Sequence, residues 1–363
     1  MVTSMGNHSN WGVFRRSPMD LMKQMLTLPH TRFTLLALFA LAYVFPVTAR
    51  AEDRDVPSNG PTFRSAVSEV RVTFFVTDGN SRPVEAVTKS DFAVVDSELV
   101  VRNFRSLAHS EENSLDVVVL VDLSESVAPR VRTAIADVLQ LVAREQSIAE
   151  DNISVVSFGG TLAGTLAGNL GAHGGVQPAV LCTSGCRASD DVARLRAVKS
   201  GGATPLYDAL IFAADFLSTH RRADRGAGRS EVRPVLLLFS DGCDTFSMHS
   251  AWDAVQAALD AGALIYSVDM GNAQNPTAGS IFLRQVSSAT GGRYFPLRTQ
   301  HARPEDSAAV LTAVLDDLRA SYVVTYDLPS HQAGFHSLRL MPTHNLNLTF
   351  HSRGGYNYDP SDR

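Results

Sequence analysis

The chain has 363 residues, 45% of them hydrophobic and 19% charged, which supplies a sizeable core and argues against a disordered chain. Its formal net charge of −5 offers nucleic acid no electrostatic footprint. The length points to more than one domain, and the sequence contains neither a phosphate-binding Gly-Lys-Ser/Thr loop nor a long internal repeat.

At the N-terminus, Phe33 to Val47 is an uncharged, mostly apolar run, preceded by Lys23 and Arg32 and followed by Ala49-Arg50-Ala51. A basic flank, an apolar core and a small-x-small site describe a secretory signal peptide over residues 1–51. The rival is a retained membrane anchor, but this run falls short of the roughly 20 residues that span a bilayer. Export would place the mature protein in the periplasm, in the cell envelope or outside the cell, with membrane contact only through an uncleaved anchor. Cleavage removes five of the 32 basic and one of the 37 acidic residues, leaving 27 against 36 and a net charge of about −9. That balance further disfavours nucleic acid or an anionic membrane as partner.

Residues 52–68 are polar with Pro and Gly and read as a linker. The next piece, residues 69–110, carries β-rich runs at 70–76, 91–96 and 100–104. From 111 to 300 strands and helices alternate. Strands are expected at 115–121, 153–158, 235–239, 264–268 and from Tyr294. Helices are expected at about 129–146, 188–198, from Thr204, 251–261 and 281–290. Residues 159–170 read as a short edge strand, 171–186 as a loop and 220–230 as a solvated loop. The last piece, residues 301–363, holds a helix at 304–319 and strands at 322–326, 336–340 and 346–350. Each β-rich piece contributes only about 40 residues of strand and turn, too few to bury a core alone, so the two should pair. The expected fold is α/β: a doubly wound, mainly parallel sheet flanked by helices, plus a small β module built from both chain ends.

There are three cysteines. Cys182 and Cys186 are spaced to close a small loop by a disulfide in an oxidising compartment, with free thiols as the alternative. Cys243 reads as a buried, packed thiol.

The chemistry concentrates at three points. Asp122-Leu123-Ser124-Glu125-Ser126 follows the apolar run Val117 to Val121, a strand buried on both faces that should release its chain at the carboxyl edge of the sheet. Thr204 lies after Gly201-Gly202-Ala203 at a helix start, and Asp241 follows the apolar strand Val235 to Phe239. Asp122, Ser124, Ser126, Thr204 and Asp241 are hard oxygen donors of the kind that suit Mg²⁺, Mn²⁺ or Ca²⁺. The alternative is that all five merely cap turns and helices. Glu125, Asp208 and Asp244 are nearby and are not assigned as ligands.

An Asp-x-Ser-x-Ser loop joined by a distant Thr and a distant Asp resembles the metal-ion-dependent adhesion site of von Willebrand factor A domains. The motifs Asp78-Gly79, Ser90-Asp91-Phe92, Thr204 to Ala209, Ser240 to Asp244 and Gly354-Gly355-Tyr356 resemble bacterial exported proteins with such a domain. Ala203, inserted between the glycines and Thr204, departs from the pattern. The resemblance implies the A-domain fold and a divalent metal. It makes Ser124, Ser126 and Thr204 direct ligands, with Asp122 and Asp241 acting directly or through waters. It implies a protein partner that presents an Asp or Glu. No nucleophile elbow, His-Glu-x-x-His or cysteine nucleophile motif appears, so a binding module is expected and not an enzyme. A metal-independent structural envelope protein and a metal-dependent hydrolase are the alternatives.

Overall fold

Eight consecutive residues, Leu115–Asp122, form the central strand of a six-stranded sheet, and all but the first are buried. The structure, a computed structural model, describes residues 69–109, 115–144, 153–159, 178–183, 186, 189–226, 232–271, 276–297 and 304–360. All of them lie in one compact unit, residues 64–363. The signal peptide, the linker and residues 160–170 of the expected edge strand lie outside the described residues.

In chain order the strands are β1 (Glu69–Thr77), β2 (Phe92–Asp96), β3 (Leu99–Val101), β4 (Ser106–His109), β5 (Leu115–Asp122), β6 (Ile153–Phe158) and β7 (Ala179–Cys182). They continue as β8 (Arg233–Ser240), β9 (Leu264–Asp269), β10 (Tyr294–Pro296), β11 (Tyr322–Asp327), β12 (Gly334–Pro342), β13 (Thr349–Ser352) and β14 (Gly355–Tyr358). The helices are α1 (Ala128–Arg144), α2 (Ser189–Ala197), α3 (Leu206–Gly226), α4 (Ala251–Ala261), α5 (Ala278–Thr290) and α6 (Pro304–Arg319).

The large sheet has the order β10-β9-β8-β5-β6-β7, parallel except for the antiparallel edge strand β7. Alternate residues of β5 and β8 face opposite apolar layers. Val117, Val119, Val121, Val235 and Leu237 join one layer with Val131 of α1 and Leu318 of α6. Val118, Leu120, Leu236 and Leu238 join the other with Leu210 of α3, Ala258 of α4 and Leu283 of α5. Both faces are therefore covered, which is why these strands read as unbroken apolar runs.

Strands from the two ends of the chain form two four-stranded sheets, β13-β1-β11-β4 and β14-β12-β2-β3. Val72 and Phe74 of β1, Phe92 and Val94 of β2, Val324 of β11 and Leu338 of β12 share one core between them. The next residue of β1, Phe75, points the other way and joins the core of the α/β layers. A two-residue period thus ties the sandwich to the larger sheet.

Several local expectations are corrected. Of the segment read as a strand at 100–104, only Val100 and Val101 lie in a strand, β3, and a separate strand, β4, follows at Ser106–His109 and pairs with β11. The segment 171–186 contains β7, and the arginine-rich stretch from His220 continues α3 to Gly226, because Arg and Ala are good helix formers and no breaker precedes that glycine. The strand placed at 346–350 lies at 349–352, and β14 follows it. Cys182 and Cys186 form the expected disulfide, whereas Cys243, read as buried, is exposed.

The seam between sandwich and α/β layers carries a pH-sensitive contact. The His351 ring stacks on Phe75 at 4.5 Å, and its Nε2 lies 3.0 Å from Thr77 Oγ1. Burial lowers its pKa to about 4, with the Arg293 cation acting in the same direction. The folded protein holds this ring neutral while the unfolded chain protonates it near 6.5, so its stability contribution is present above about 6.5 and is lost as pH falls towards 4. Denaturant melts at pH 7.5 and 5.0 should show wild type losing about 2 kcal/mol more on acidification than His351→Gln. Equal losses would show that the ring titrates normally.

Candidate metal centre

Where β5 ends, the backbone stays tied to its neighbours for one more residue. Leu123 N–H donates to the Phe158 carbonyl at 2.8 Å, and the Leu123 carbonyl accepts from Gly201 N–H at 2.8 Å. The Asp122 side chain, fully buried, then organises the turn: Oδ1 accepts from Ser124 N–H at 2.8 Å and Oδ2 accepts from Ser240 Oγ at 2.7 Å. This is an Asx-type turn closed on one side and bolted to strand β8 on the other. It leads into a single 3-10 turn, Glu125–Val127, and then α1. The Ser124 and Ser126 hydroxyls lie 3.1 Å apart.

The loop before α3 is brought to the same edge. A Cβ on Gly159 would stand 3.0 Å from both Ser124 N and the Ala203 carbonyl oxygen, at a φ of +66°. Only a glycine after β6 lets the Asp122 and Thr204 loops close over it. Thr204 and Thr245 exchange two hydrogen bonds, Thr204 N–H to Thr245 Oγ1 and Thr245 N–H to the Thr204 carbonyl, both 2.9 Å. This joins the Thr204 loop to the one that follows Asp241. Asp241 Oδ1 accepts from Cys243 N–H at 3.0 Å, and Ser240 Oγ accepts from Gly242 N–H at 3.0 Å while donating to Asp122.

Two of the three unassigned acids have other work. Asp244 Oδ1 accepts from the N–H groups of Leu206 and Tyr207 at the start of α3, where a carboxylate suits the helix dipole. Asp208 accepts from Met248 N–H and His249 N–H and pairs with His249 Nδ1 at 2.8 Å. Both lock the 241–250 loop. Glu125 is exposed. Asp269, at the end of β9, accepts from Gly271 N–H and from Tyr294 OH, which holds that turn.

Of the five sequence-designated residues, Asp122, Ser124, Thr204 and Asp241 are buried and Ser126 is exposed. Hydrogen bonds bring Asp122, Ser124 and Ser126 together directly, and the Ser240 and Thr245 contacts carry Asp241 and Thr204 to the same sheet edge. Burial pushes the Asp122 carboxyl up to about 6 against the hydrogen bonds from Ser124 and Ser240, and the charge of Asp241 adds to the rise. Two carboxylates that repel one another beside buried hydroxyls form a donor set suited to a hard divalent cation. Among the described residues no cluster of three or more His, Cys, Asp and Glu side chains could hold a metal. A site here would therefore rest on hydroxyls as much as on carboxylates.

Ser240, Thr245 and Gly159 act in this geometry without having been singled out by the sequence. Ser240 alone carried a signal, as the residue immediately before Asp241 at a strand end.

Residues 116–300, just over half of the chain, match the von Willebrand factor type A domain. The chain belongs to that family. Solved structures resembling this A-domain protein include proximal thread matrix protein 1 from the mussel byssus, at 14% identity and a TM-score of 0.40, covering 59% of this chain and 50% of that one. The chain thus spans about half the length of that relative. The pilus adhesin SpaC from Lactobacillus rhamnosus GG, in an open conformation, is 11% identical with a TM-score of 0.41, covering 77% of this chain and 46% of that one. The manganese-loaded TRAP protein of Plasmodium vivax is 16% identical with a TM-score of 0.39, covering 72% and 97%. No curated protein matches the A-domain chain.

Proposed function

We propose that this protein is a divalent-metal-dependent binding module, exported to the cell envelope, that captures an acidic group of a protein partner. The observation that carries the reading is the donor set: five hard oxygens from three loops at one sheet edge, only two of them carboxylates, with Asp122 buried and fixed from both sides. A cation held by so few charges stays electrophilic and accepts an outside Asp or Glu carboxylate. Mg²⁺ is the expected ion, since it keeps waters that a ligand can displace, with Mn²⁺ or Ca²⁺ as substitutes. Ser124, Ser126 and Thr204 would hold it through their hydroxyls, and Asp122 and Asp241 directly or through water.

Binding is favoured over catalysis because His249, the histidine nearest the site in sequence, is exposed and already paired with Asp208. The loop after Asp241 also leaves Phe246 and Met248 exposed at 49% and 70%, although Asp208, Asp244 and Thr245 fix its backbone. A rigid apolar rim beside an acidic anchor point is what a protein partner would use.

Calorimetric titration of the full chain with Mg²⁺ tests the site. Thr204→Val keeps the side-chain shape and removes one hydroxyl, and it should weaken Mg²⁺ binding about tenfold, the scale of one lost polar contact. Superimposable wild-type and Thr204→Val titrations, or no Mg²⁺ heat in wild type, would favour a metal-independent structural role.

A further inference from the structure

The sheet β14-β12-β2-β3 ends on β3, whose one neighbouring strand among the described residues is β2. β3 consists of three apolar residues, Leu99, Val100 and Val101, and the first two are 49% and 60% exposed. A free strand edge is a template for another strand, and proteins usually blunt it with proline, charge or a covering element. Other edges of this protein are treated in that way. β10 ends in Pro296, and Asn357 of the edge strand β14 is bonded to Gln256 and Asp260 of α4. β3 contains neither proline nor charge. Its charged residues stand just outside it, Glu98 before and Arg102 after.

The register decides what β3 shows at its edge. A two-residue turn, Ser97-Glu98, joins β2 to β3 with φ values of +47° and +73°. Positive φ at both central residues belongs to the primed turn that matches the twist of a hairpin. Ser97 N–H donates to the Ser337 carbonyl of β12 at 2.8 Å, away from β3. Backbone groups alternate in direction along a strand, so those of Asp96 face β3 and meet Leu99 directly opposite. Val100 comes next, and its N–H and C=O therefore face the open edge. Its side chain lies on the outer face of the sheet, opposite Val95, which itself lies opposite Arg339. Met341, 49% exposed, shares that face two residues along β12. An open hydrogen-bonding edge thus adjoins exposed apolar side chains.

We propose that β3 pairs antiparallel with β3 of a second copy of this chain, about a two-fold axis at Val100. The sequence is self-complementary about that point. Val100 stands opposite Val100, each donating its N–H to the other's carbonyl, and Leu99 stands opposite Val101. Glu98 then falls opposite Arg102 at both ends of the pair, and both residues are exposed in the single chain. An axis at Leu99 or Val101 would set Glu98 opposite Val100 or Phe104 and forfeit both charge pairs. The two copies of the sheet would join into one. The contact is small beside a standard interface, so the dimer is weak and concentration-dependent. It is independent of the metal centre.

Sedimentation velocity of the full chain, in chelator and from low micromolar to submillimolar concentration, tests the pairing. Wild type should pass from monomer to dimer and stop there, because an isologous contact closes on itself. Val100→Lys puts two like charges at the axis and should leave the chain monomeric throughout. Glu98→Arg and Arg102→Glu should each weaken the dimer about tenfold, since each sets like charges opposite one another at both ends. The double variant should recover the wild-type affinity, which neither a damaged fold nor a contact elsewhere would do. Ile281→Lys, on the exposed face of α5, should dimerise as wild type does. The proposal is overturned if wild type stays monomeric, as it would if the edge served a strand of another protein, or if it assembles beyond the dimer. It is equally overturned if Val100→Lys associates like wild type, if the single reversals have no effect, or if the double variant fails to recover.

Discussion

Asp122→Asn should weaken divalent-metal binding about a hundredfold while leaving the metal-free protein at least as stable as wild type at pH 7. The two halves of that outcome have one origin. The Asp122 carboxyl is fully buried, and burial together with the Asp241 charge raises its pKa to about 6. A carboxyl whose folded pKa exceeds its unfolded value of 3.8 stabilises the fold when protonated, and that contribution is lost as pH rises through about 6. At pH 7 without metal, keeping it ionised costs roughly 2–3 kcal/mol. The amide carries no such cost. Its oxygen can accept from Ser124 N–H, and its NH2 can face the Ser240 hydroxyl. The amide is a poor ligand, however, and metal affinity should fall by about a hundredfold, equivalent to some 3 kcal/mol. Asp122→Ala should lose metal to the same degree and also lose about 1–3 kcal/mol of stability, since two buried donors are left without an acceptor. Metal titration and denaturant melts of both variants separate the cases. If Asp122→Asn bound Mg²⁺ as wild type does, the carboxylate would be a turn-former only.

The sequence made the outline legible wherever a pattern is local. Unbroken apolar runs at Val117 to Val121 and Val235 to Phe239 announced strands covered on both faces, and both lie in the middle of the large sheet. The five candidate residues each follow a strand or open a helix, a local pattern, and the structure places them at one edge of the large sheet. Other features depend on contacts no local pattern encodes. β4 exists because β11 offers it an edge, and β14 because β12 does. Cys243 looked like a packing residue by type, yet the turn after Asp241 carries it outward. Asp208 and Asp244 could not be told from ligands by position, since their roles depend on N–H groups some 40 residues away in the chain. The tie from Ser240 to Asp122 spans 118 residues and is invisible until β5 and β8 are known to be neighbours.

Gly242→Ala should be among the most damaging single substitutions in the chain, removing about 3 kcal/mol or more of stability. Gly242 has a φ of +76°, which costs an L-residue about 1–2 kcal/mol. A Cβ there would also stand 2.2 Å from the Gly279 carbonyl oxygen and 2.7 Å from Leu283 Cγ. The carbonyl belongs to the first turn of α5, which is fixed by the Thr277–Ser280 capping box, so the helix cannot withdraw without further loss. Overpacking of this kind adds about 1–3 kcal/mol. The strain would be relieved by moving the loop, and the loop carries Asp241 and the Ser240 hydroxyl that holds Asp122. Metal affinity should therefore fall together with stability. Gly279→Ala probes the same contact from the helix side, because its Cβ would lie 2.3 Å from the Asp241 carbonyl oxygen. It escapes the positive-φ cost and should be destabilised less than Gly242→Ala. Gly79→Ala, with nothing within 4 Å of its added Cβ, should stay within about 0.5 kcal/mol of wild type. Denaturant melts rank the three. A Gly242→Ala protein as stable as Gly79→Ala would mean that the Asp241 loop is not held against α5, and that the site is less preorganised than its hydrogen bonds imply.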